Sequence, residues 1–134
     1  MKRIAWLLLL TACTSGPAVL DSGTRMTLTS PDGRITATVA LDDHSIVYYT
    51  VERDGVEVVG YSPIAFEFEG TPGPERGQRI VAVSQPELIV QDYELPWGEQ
   101  RLVHDEAVAG RMELLDVWDE HWAVEFRVMD DGVA

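Results

Sequence analysis

Trp97-Gly98-Glu99 places an aromatic face two residues from a carboxylate. An indole can stack on a sugar ring, and a carboxylate can accept hydrogen bonds from its hydroxyls. The same tryptophan can instead pack at a sheet corner or against another domain. Packing carries more weight, because large aromatics dominate cores and interfaces. Trp118 and Trp122 flank His121 and raise the same choice, again weighted towards packing. His44, His104 and His121 are scattered and lack metal-ligand spacing. The acidic pairs Asp42-Asp43 and Asp130-Asp131 sit in turn sequences, where Asp is expected. No Ser-His-Asp order, phosphate loop or zinc pattern emerges. Trp97 and Glu99 are therefore the candidates for a glycan or interdomain contact, and no residue is assigned as catalytic.

Cys13 is the chain's only cysteine and its other chemically notable residue. Lys2 and Arg3 precede the apolar run Ile4 to Leu10, and Thr11 and Ala12 lead into Cys13. A basic start, a short apolar core and a small-residue exit describe a secretory signal. A transmembrane helix needs about 20 apolar residues, so this run is too short to be one. Leu10-Thr11-Ala12-Cys13 resembles the bacterial lipobox. That resemblance implies cleavage before Cys13 and lipidation of its thiol; the alternative is an ordinary signal with an incidental cysteine. Several acyl chains together anchor stably. Thr14 in place of Asp favours the outer membrane among cell-envelope destinations.

The elements that must position these residues follow. Residues 1–12 read as the signal, 13–24 as a small, polar tether, and 25–134 as one domain. With no second cysteine in the chain, that domain has no internal disulfide and relies on its core. The chain carries 10 basic and 23 acidic residues, net −13. Without Lys2 and Arg3 the basic count is 8 and the net charge −15. Such a surface repels nucleic-acid phosphates and anionic lipid head groups, so any membrane attachment comes from lipid.

From Arg25 onward the pattern alternates with period two. Strands are expected at Arg25 to Ser30, Arg34 to Leu41, Ser45 to Arg53, Val56 to Val59 and Ile64 to Glu69. Others follow at Arg79 to Ser84, Glu87 to Tyr93, Gly110 to Val117 and His121 to Met129. Pro31-Asp32-Gly33 and Asp54-Gly55 are turn signals, and Gly70 to Gly77 is a loop. Many short strands between such turns predict an all-β antiparallel sandwich. Asp130-Asp131-Gly132 reads as one more hairpin turn. A strand ending at Met129 is then expected to have an open edge, as in part of a larger domain.

Four segments, in order, resemble the amino-terminal domain of glycoside hydrolase family 97. They are Ser30-Pro31-Asp32-Gly33-Arg34-Ile35, Ser62-Pro63-Ile64, Tyr93-Glu94-Leu95-Pro96-Trp97-Gly98-Glu99, and the run Glu125 to Ala134. The likeness covers Met26 to Ala134, and Pro-Trp-Gly-Glu contributes most to it. Arg101 to Glu106 is more polar than the family's segment there, and the Gly70–Gly77 loop is richer in Pro and Gly.

The resemblance implies a secreted or periplasmic enzyme acting on α-glucosides or α-galactosides. A sandwich of the carbohydrate-binding type would lie on a (β/α)8 barrel that supplies the catalytic carboxylates, with calcium assisting there. A pair of carboxyl groups serves both inverting and retaining hydrolysis, and their separation decides which. No catalytic residue or calcium ligand transfers to this chain, and calcium belongs to the full-length enzyme alone. The expected partners are the barrel, an α-linked glycan and the membrane through Cys13. Two alternatives stand beside this: a stand-alone surface lipoprotein that binds glycan or protein, and a gene remnant without function.

Overall fold

The structure is a computed structural model that describes residues 24–65, 76–97 and 102–134. Cys13, the signal, the tether before Thr24, the expected strand end Phe66 to Glu69, most of the Gly70–Gly77 loop and Glu99 lie outside the described residues. The described residues form eight strands in two antiparallel sheets, the all-β sandwich that the alternation predicts.

The first sheet is a meander of β1 (Arg25–Thr29), β2 (Ile35–Leu41), β3 (Val47–Arg53) and β4 (Val56–Pro63), paired in that order. Its alternation sets the faces: Met26 and Leu28 are buried, while Thr27 and Thr29 are exposed. Ser30 fastens the first turn. Its hydroxyl donates to Asp32 Oδ1 at 2.6 Å and accepts from the Ile35 amide at 3.0 Å. Asp54 and Gly55 both have positive φ, 52° and 76°, the backbone that a tight two-residue hairpin needs.

The second sheet is built on β7 (Leu102–Leu115). β8 (His121–Val128) pairs along one edge of it, over Val108–Leu115. On the other edge β6 (Glu87–Glu94) pairs with Leu102–Ala109 and β5 (Arg79–Val83) with Met112–Leu115. Ser84 joins these two along that edge: its amide donates to Arg111 O at 2.8 Å, and its hydroxyl accepts from the Arg111 amide at 2.9 Å.

Two strand limits differ from expectation by four residues or more. β7 begins at Leu102, eight residues before the expected Gly110, because a partner strand rather than a buried face holds its first half. β4 continues through Gly60 to Pro63 instead of ending at Val59. The register shifts on either side of Val51 leave the extra residues on β4, as a bulge does.

The core lies where β1 and β2 cross β7 and β8. Leu28, Val39, Val47, Met112, Leu114 and Val128 are fully buried there. Each such side chain contributes roughly 1.5–3 kcal/mol by leaving water. Gly110 lets β1 approach β7: a Cβ at that position would lie 2.7 Å from Leu28 Cδ2 and 2.8 Å from Met26 Sδ.

Candidate functional site: an exposed ribbon

Strands β6 and β7 together continue past the sandwich as a two-stranded ribbon. Val90 to Glu94 pair with Leu102 to Glu106, and every residue from Val90 to Trp97 is exposed. The register sorts the side chains. One face carries Leu88, Val90, Asp92, Leu102, His104 and Glu106, and the opposite face carries Tyr93. Leu102 is 69% exposed and Trp97, in the connection beyond β6, is 82% exposed. With Leu88, Val90, Tyr93 and Leu95, they put a run of large apolar groups in water along one ribbon. Such concentrations mark interaction surfaces more often than isolated exposed residues do.

His104 stands between two carboxylates on that ribbon. Its Nδ1 lies 2.6 Å from Asp92 Oδ1 and its Nε2 lies 3.0 Å from Glu106 Oε1. Only the protonated imidazole can donate through both nitrogens. Asp92, and then Glu106, therefore hold the imidazolium and raise its pKa above the ordinary 6.5. Asp92 lies directly across the strand pair from His104, and Glu106 is two residues along the same face. The scattered histidine of the sequence thus has a defined partner set that only strand pairing reveals.

Trp97 does not sit in a packed sheet corner of this domain; its indole is almost fully in water. Trp118 and Trp122 separate. Trp118 is exposed in the β7–β8 turn, whereas Trp122 is half-buried and packs against the core. The Trp122 Nε1 donates to Gln78 Oε1 at 2.7 Å. Packing describes Trp122, and Trp118 is free of the core. Among the described residues, no group of three His, Cys, Asp or Glu side chains is arranged to hold a metal.

A second aromatic feature escapes a reading of the sequence. Tyr48 and Tyr61 stack with ring centroids 4.9 Å apart, and the Tyr61 hydroxyl donates to Asp42 Oδ2 at 2.8 Å. Asp42 Oδ1 accepts from the amides of His44 and Ile46, each at 2.9 Å. These bonds, led by that from Ile46, keep the Asp42 carboxyl below its ordinary pKa, while the hydrogen bond that Tyr61 donates to it raises the pKa of the phenol. The β3–β4 register that brings the two rings together depends on the bulge.

Two antiparallel sheets with an apolar ribbon projecting from one of them define a β-sandwich domain with an outward contact surface. Residues 28–134 match the family described as Glycosyl-hydrolase 97 N-terminal, and the chain belongs to it. The fold is similar to that of a Glycoside Hydrolase Family 97 enzyme from Pseudoalteromonas sp. strain K8, solved with panose and with acarbose. In both structures the TM-score is 0.71 at 25% identity, over 81% of this chain and 16% of that one. A beta-arabinopyranosidase shares the fold with a TM-score of 0.70 at 19% identity, over 78% of this chain and 16% of that one. The chain thus spans about 16% of the length of these solved structures. No curated protein matches it.

Proposed function

We propose that this sandwich is the non-catalytic amino-terminal domain of a secreted glycoside hydrolase of the α-glucosidase or α-galactosidase class. It packs on a catalytic barrel and supports the barrel's glycan-binding site. The observation that carries the reading is the ribbon, whose Leu88, Val90, Leu102 and Trp97 stand in water without a core of their own. A barrel laid against them would remove that apolar area from water, at roughly 25 cal/mol per Å². The panose and acarbose bound to the Pseudoalteromonas enzyme support an α-linked glycan as the substrate of the whole protein. The lipobox-like segment supports secretion and a lipid anchor through Cys13 at the cell envelope.

Co-purification with a tagged family 97 barrel, beside calorimetric titration with panose and α-galactosides, tests the reading. The expected result is capture by the barrel that Leu102→Glu abolishes, with no glycan heat from the chain alone. Glycan heat removed by Trp97→Ala, without barrel capture, would establish a stand-alone glycan-binding lipoprotein instead.

A further inference from the structure

Docking through the ribbon buries charge along with apolar surface. The face that presents Leu88, Val90 and Leu102 also carries Asp92 and Glu94 of β6 and His104 and Glu106 of β7. Glu94 lies directly across the strand pair from Leu102. Asp105, the remaining charged residue of the paired stretch, turns to the opposite face. Among the described residues, this part of β7 pairs with β6 alone, and His104 is the one group of the stretch that can be cationic.

The side chains of Asp92, His104 and Glu106 are 78%, 58% and 43% exposed, so water now serves both carboxylates whatever the state of the imidazole. Against a partner surface that water leaves. A neutral imidazole has one N–H and can donate to Asp92 or to Glu106, not to both. The other carboxylate is then buried with nothing from this row in place of its water, which is costly for an ion. The imidazolium donates to both, across 2.6 Å to Asp92 and 3.0 Å to Glu106. Each of these carboxylates then has a donor within the row, and a partner need bring it no charge.

We propose that the ribbon is a proton-linked docking surface: an uncharged apolar partner surface laid on this face is held more tightly when His104 carries its second proton. The proposal rests on the reading of the ribbon as the contact for the catalytic barrel, and adds what controls that contact. Docking weakens as pH rises through the titration of His104, and docking in turn holds the proton on the ring more firmly, because linkage is reciprocal. A partner that brought Arg or Lys to Asp92 and Glu106 would compete with the imidazolium and give the opposite slope.

The test applies the full chain to a neutral phenyl-agarose matrix, which stands in for an uncharged apolar surface. The ribbon's share of the retention is the part that Leu102→Glu removes. It is measured at about pH 6 and about pH 9, a span over which histidine titrates and carboxylates stay ionised. The expected share is about fivefold or more larger at the lower pH, the low end of ordinary coupling. His104→Gln should show the parent's weak share at both values. Asp92→Asn combined with Glu106→Gln should hold at about pH 9 as firmly as the parent does at about pH 6. An equal share at both values overturns the proposal, as does a larger one at the higher pH. So does a slope that survives His104→Gln, which would belong to His44 or His121. Retention that Leu102→Glu leaves untouched would put the apolar contact off the ribbon and overturn it too. The matrix is neither barrel nor glycan, so a flat profile leaves the domain–barrel reading standing, and failed barrel capture leaves the profile intact.

Discussion

The backbone amide of Asp32 donates to Asp130 Oδ1 at 2.9 Å, across 98 residues of sequence. Asp130 belongs to the turn after β8 and Asp32 to the turn between β1 and β2, so one hydrogen bond ties the two sheets at a corner. The Asp32 carboxylate accepts from the Ser30 hydroxyl and the Arg34 amide, and these bonds lower its pKa, that from Ser30 most. Turn signals at the two ends of the domain thus act as one unit.

Asp130→Ala is expected to lower the melting temperature by a few degrees, since the Asp32 amide loses its acceptor. Asp130→Asn retains a carbonyl oxygen and should melt close to the parent. Hydrogen exchange at Asp32 checks the cause: it should quicken in the alanine variant alone. The Asp32 carboxyl adds a pH signature. Its folded pKa is lowered, so its contribution is present above the unfolded value of 3.8 and fades as pH falls through the folded value. Equal melting of all three proteins would mean that the corner contact does not form.

Gly110→Val should destabilise the fold by about 1–3 kcal/mol, the usual range for overpacking. The new Cβ would meet Leu28 and Met26, and Leu28 is fully buried with no room to retreat. Met112→Ala probes the same core in the opposite sense, by opening a cavity at a cost of about 2–5 kcal/mol. Urea unfolding measures both. Parent-like stability of Gly110→Val would contradict the close crossing of β1 over β7.

The His104 imidazole should titrate above 6.5 in the folded chain. A raised folded pKa means that its stabilisation is complete below 6.5 and is lost as pH rises through the folded value. Imidazole chemical shifts followed against pH give the value directly. Asp92→Asn should remove more of the shift than Glu106→Gln, because the Asp92 hydrogen bond is its largest cause. A His104 that titrates at 6.5 or below would show that the ribbon does not hold the carboxylate–imidazolium–carboxylate row.

Trp97→Ala should leave the isolated chain within about 0.5 kcal/mol of the parent, as exposed positions do. Leu114→Ala, at a fully buried site, should cost about 2–5 kcal/mol in the same denaturation experiment. A large loss from Trp97→Ala would place that indole in a core contact and weaken the case for an outward surface.

Much of the sandwich is legible because its strands have one face in the core. Arg25 to Thr29, Ile35 to Leu41 and His121 to Val128 alternate so plainly that face and strand are read together. The first half of β7 is not legible: Leu102 to Glu106 stands outside the core in the ribbon, so no burial imposes a pattern on it. The candidate site shares that limit. Trp97 is conspicuous by residue type, yet its exposure and the alignment of Leu88, Val90 and Leu102 appear only once β6 and β7 are in register.

Composition and alternation alone determine an acidic, all-β domain without an internal disulfide, and the order of its motifs points to the family that the comparison then shows. Tertiary structure decides which turns meet, which carboxylates face His104 and which tryptophan is wet. The division has a physical cause. Period-two burial is written locally, residue by residue, whereas strand register and the crossing of two sheets are set by contacts between segments far apart in the chain.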